Sequence, residues 1–81
     1  MQGAKFEVRV EIMDMEWING FEIRVTVDYG AVVISANKEG MLSLAKHLTA
    51  LAESVSGQHI HYDSCNSLEE GSTEMIIERI S

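Results

Sequence analysis

Two stretches of strict period-two alternation constrain this chain more than any other feature. Between Lys5 and Ile12, the apolar Phe6, Val8, Val10 and Ile12 fall on one side, and Glu7, Arg9 and Glu11 on the other. From Phe21 the design repeats, with Phe21, Ile23, Val25 and Val27 opposing Glu22, Arg24, Thr26 and Asp28. Such alternation marks strands with one buried and one wet face, and these two are expected to pair antiparallel. The phase slips between them: Met13, Met15 and Trp17 are odd-numbered where the preceding apolar row is even. A bulge or loop is therefore required before the Asn19-Gly20 turn.

A second turn is expected at Asp28-Tyr29-Gly30, followed by a short interior strand from Ala31 to Ala36 centred on Val32, Val33 and Ile34. Asn37 suits a helix N-cap, and Glu39 complements the helix dipole in the first turn. Met41, Leu44, Ala45, Leu48, Leu51, Ala52 and Val55 recur at three and four residues, with Ser43, Lys46, His47, Thr49 and Glu53 mostly opposite. Gly57 fits a left-handed stop after the helix. Gln58 to Asp63 reads as a fourth strand, Ser64 to Ser72 as a polar loop, and Thr73 to Ile80 as a fifth strand.

The expected architecture is a single α+β domain over residues 1–81. It has a five-stranded, mostly antiparallel sheet with one helix packed on one face, in the order β-β-β-α-β-β. Five strands about 4.8 Å apart make a sheet of roughly 20 Å, whereas one helix is about 10–12 Å across. Apolar surface should then remain uncovered, and uncovered apolar surface favours association with another chain.

Thirteen acidic against six basic residues give a net charge of -7. This argues against a protein that grips phosphate backbones, so no nucleic-acid partner is expected. The single cysteine, Cys65, cannot close an internal bridge, which fits a reducing compartment and a cytoplasmic location. The first dozen residues lack the apolar core of a signal peptide, and no apolar run approaches the roughly 20 residues of a membrane span.

His59 and His61 lie two apart on one strand face, and Asp63 continues the row. Two imidazoles and a carboxylate can bind zinc or transfer protons; the alternative is packing at a strand edge. Side chains along one strand run nearly parallel, so a metal would need a further ligand from elsewhere. No metal or cofactor is expected. Cys65 has no CxxC spacing, and the chain contains neither a G-x-S-x-G elbow nor a phosphate-binding glycine loop. Asp14, Glu16 and Trp17 share the first long loop, while Glu69 and Glu70 occupy the last. Trp17 is either an anchor for a protein partner, with the carboxylates steering a basic surface toward it, or a lid over the sheet edge.

Two segments carry a family resemblance. One runs from Ala36-Asn-Lys-Glu-Gly-Met-Leu through Ala52, the other from Gly57-Gln-His-Ile-His-Tyr-Asp through Leu68-Glu-Glu-Gly-Ser to Ile80. In order and spacing they resemble a small bacterial immunity-protein family of polymorphic toxin systems. The resemblance implies a non-enzymatic protein that binds and neutralises a cognate toxin by occlusion. The expected partner is a protein, with a basic toxin domain fitting the charge. The residues expected to meet it are Asp14, Glu16, Trp17, His59, His61, Asp63, Glu69 and Glu70. The alternatives are a homodimeric structural or regulatory subunit and a metal-dependent enzyme built on His59 and His61.

Overall fold

A computed structural model describes residues 16–81. The alternating stretch at residues 5–12 and Asp14 lie outside the described residues. Within them the order is β1 (Ile23–Asp28), β2 (Ala31–Ala36), α1 (Lys38–Ala52), β3 (His59–Tyr62) and β4 (Met75–Glu78).

The expected five-stranded sheet is overturned. Among the described residues, four strands form two separate antiparallel pairs, β1 with β2 and β3 with β4. The physical reason lies at the second edge of β1. Residues 69–73 lie along that edge: the Glu69 N–H donates to the Ile23 carbonyl at 2.8 Å and the Thr73 N–H to the Val25 carbonyl at 2.7 Å. A step of four positions on one side thus answers a step of two on the other. The surplus is taken up by a turn at Glu70-Gly71, where Gly71 has φ 88, and the Ser72 hydroxyl accepts the Val25 N–H at 3.2 Å. A regular ladder cannot pass through that irregularity, so β4 begins only at Met75.

β1 and β2 are joined by a two-residue turn in which Tyr29 (φ 53) and Gly30 (φ 82) both occupy the left-handed region. That geometry defines the type I′ hairpin, whose twist matches that of the strands. The register places Ile23 opposite Ala36, Val25 opposite Ile34 and Val27 opposite Val32. These six side chains share the inner face. Ile23 and Val25 are buried, but Val27 at the far end is exposed, because the helix covers only the end nearest Ile23.

The helix begins as expected. Asn37 is its N-cap, with Oδ1 accepting the Gly40 N–H at 2.8 Å and the Glu22 N–H at 3.0 Å, while Nδ2 donates to the Gly20 carbonyl at 3.0 Å. The buried face differs from the expected one. Gly40, Ser43, Leu44, His47 and Leu51 point inward, whereas Met41, Leu48 and Val55 are exposed. Gly40 causes this rotation: a Cβ there would lie 2.5 Å from the Glu22 carbonyl oxygen and 2.9 Å from Ile23 Cγ1, so only glycine lets the helix come so close. Ser43 and His47 can face the core because their polar atoms find partners there. The helix ends at Glu53, whose N–H reaches the Thr49 and Ala50 carbonyls. Gly57 does not terminate it; at φ 90 it turns the chain into β3 and donates to the Arg79 carbonyl at 2.9 Å. The core comprises Ile23, Val25, Leu44, Leu51, Ile60, Tyr62 and Leu68, with Trp17 and Phe21 packed against it.

Candidate functional site

The described residues among the eight expected to meet a partner do not converge. Asp14 lies outside the described residues, and the other seven fall in four places. Glu16 and Trp17 run along the flank of α1. The Glu16 carboxylate pairs with Lys46 Nζ at 3.2 Å, and its carbonyl is 2.7 Å from His47 Nε2. The Trp17 ring stacks on Phe21 at a centroid distance of 4.3 Å and meets His47 edge-on at 4.4 Å. It is half-buried and closes over the core like a lid.

His59 and His61 project from the outer face of β3, with ring centroids 5.2 Å apart. His61 Nδ1 lies 3.8 Å from Glu74 Oε2, and Glu78 is the register partner of His59. Among the described residues, no three His, Cys, Asp or Glu side chains converge as ligands for a metal ion. Asp63 is committed to local structure: its Oδ1 accepts the N–H groups of Cys65 at 2.9 Å and Asn66 at 3.0 Å, the geometry of an Asx turn. Glu69 and Glu70 sit beside the β1 edge, where the Glu70 carbonyl accepts Arg24 Nη1 at 3.1 Å. Arg24 is thus bound to a loop carbonyl.

The feature that sequence reasoning missed is a polar pair inside the core. His47, assigned to the wet side of the helix, is 1% exposed. Its Nδ1 lies 2.9 Å from the Tyr62 hydroxyl. Because the Glu16 carbonyl can only accept, Nε2 carries the proton and Nδ1 accepts from the phenol. Burial lowers the pKa of His47 below its ordinary 6.5, with the Glu16 carbonyl opposing that shift, and burial pushes the Tyr62 phenol up to about 12. Both therefore stay neutral around pH 7. The signal was present in the spacing: Gly40, Leu44, His47 and Leu51 form a helical row in their own right.

On the outer side of the Glu16 segment, Ile18, Leu42, Ala45 and Ala50 line an open groove of about 520 Å³, with Lys46 and Glu53 also in its wall. No described helix is long and apolar enough to cross a membrane.

The family model described as Immunity protein 32 matches residues 31–80, well over half of the chain. The chain belongs to the Immunity protein 32 family. Comparison with curated proteins and with solved structures gives no match. The Immunity protein 32 match begins at β2, and so takes in the capped helix, the His59-Ile60-His61 strand and the loop that closes the β1 edge. Those elements include both segments that carried the resemblance in the sequence.

Proposed function

We propose that this member of the Immunity protein 32 family binds and neutralises a cognate bacterial toxin by covering its active surface, with no chemistry of its own. The observation that carries the reading is the family match over residues 31–80. The charge of -7 supports a basic toxin domain as the partner, since opposite potentials accelerate encounter and hold the correct approach. Glu16, Glu69 and Glu70 supply the steering charge. The Trp17 ring and the Asp63 carboxylate serve the fold, because their contacts are already spent within the chain. His59 and His61 form part of the outer surface offered to the partner.

The test uses the product of the coding sequence adjacent to this one, which is expected to be a secreted protein. Its C-terminal domain should be toxic when expressed alone and harmless when the full chain is co-expressed. The two purified proteins should also form a complex, with an association rate that falls steeply as salt is raised. Reversing the charge of Glu16, Glu69 and Glu70 together should slow association at low salt by about tenfold or more. Absence of both rescue and complex would sink the reading; an unchanged association rate would remove the steering role alone.

A further inference from the structure

We propose that the tip of the β1–β2 hairpin, with Tyr29 at its point and Val27 and Val32 behind it, enters a cleft on the toxin that is apolar at its floor and basic at its rim. This rests on the toxin-neutralising reading above and names the element that would perform it.

Tyr29 holds φ at 53, in the left-handed region where a side chain with a Cβ is strained and a bulky one more so. Asn, Asp and Gly meet the same type I′ geometry more easily. A strained aromatic residue is understandable where its ring packs into the fold. This ring touches no core: Tyr29 is 103% exposed. Beside it, Val27 and Val32 face each other across the hairpin and are 57% and 65% exposed. Three apolar side chains therefore stand together at the end of the hairpin, one of them in the left-handed backbone region.

Exposed aromatic residues are the groups on which binding energy concentrates in interfaces. The hairpin beneath is held by six cross-strand residue pairs, so little freedom is lost when its tip is seated. Charge selects the occupant. Asp28 flanks the tip and the chain carries -7, so a second copy would bring like charge against like, whereas a basic surface would be attracted.

The experiment is Tyr29→Asn in the full chain, with the C-terminal domain of the product of the adjacent coding sequence as the probe. Asn relieves the backbone strain and removes the ring. The melting temperature of the free protein should rise by roughly 4 °C, while affinity for the probe should fall at least about tenfold. Val32→Thr, which keeps the β-branched shape, should weaken binding about threefold with the strand intact. Affinity unchanged in both variants, with wild type still bound, would overturn the tip and leave the toxin reading standing. Wild type that neither binds nor rescues would defeat that reading and the tip with it. A free protein that is dimeric, and becomes monomeric on Tyr29→Asn, would assign the tip to a second copy and overturn the proposal.

Discussion

His47 Nδ1 accepts a hydrogen bond from the Tyr62 hydroxyl over 2.9 Å, while His47 Nε2 donates to the Glu16 carbonyl over 2.7 Å, so one buried imidazole ties α1 to β3 and to the chain ahead of the hairpin. The rings of His47 and Tyr62 also stack, at 5.8 Å and 27°. Tyr62→Phe keeps the ring and removes the donor, leaving a buried acceptor without its partner. The expected loss is about 1–3 kcal/mol, read as a lower urea midpoint at unchanged slope.

Stability should also respond to pH through His47. Its folded pKa lies below the unfolded 6.5 because burial disfavours the imidazolium. The unfolded chain therefore binds the extra proton more readily. The stabilisation is complete above pH 6.5 and is lost as pH falls from there toward the folded pKa, by at most about 1.4 kcal/mol per pH unit for one proton. Urea titrations between pH 5 and 7.5 should show this decline, and His47→Gln should flatten it. An equal slope in that variant would assign the acid sensitivity to other groups.

Asn37 joins two structures with one side chain. Its amide caps the helix at Gly40 and also bonds Glu22 and Gly20 at the start of the hairpin. Asn37→Ala should cost about 2 kcal/mol or more, above the ~1 kcal/mol typical of a cap alone. Asn37→Asp keeps the acceptor and loses only the donor to the Gly20 carbonyl, so it should fall between the two. Chemical denaturation of the three proteins ranks them directly.

At Gly40, local preference and packing point in opposite directions. In an exposed helix interior, alanine would gain roughly 1 kcal/mol over glycine. Here the added methyl would sit 2.5 Å from the Glu22 oxygen and 3.0 Å from Ala36 Cβ, against backbone that cannot yield without moving β1. The clash should win, with a net loss of about 2–3 kcal/mol. A melting temperature at or above that of wild type would mean that the helix can slide off the hairpin at small cost.

Local chemistry made much of this architecture readable. The boundaries of β2, the Asn37 cap and the two turns follow from turn residues, a capping side chain and an apolar run, all decided within a few positions. The failures share a different cause, since each was decided by contacts distant in sequence. Helix rotation depends on the glycine that lets α1 meet Ile23. The burial of Ser43 depends on its hydroxyl accepting the Ile18 N–H at 2.8 Å, and that of His47 on Tyr62 and Glu16. The sheet divides in two because residues 69–73 are too many for the edge they follow. The described members of the expected partner-binding set fall in separate places, because strands and loops far apart in the chain determine which side chains become neighbours.

The seam between Val25 and the Ser72-Thr73 pair joins positions separated by 47 and 48 residues. Contacts of such long range form late, after most of the entropic cost of closing the chain has been met. During synthesis, the hairpin and helix can be complete while this seam is still missing, because its partner residues lie 47 and 48 positions further along the chain. A chain whose residues 72 and 73 have not yet left the ribosome therefore holds a paired hairpin and a capped helix while one edge of β1 stays open.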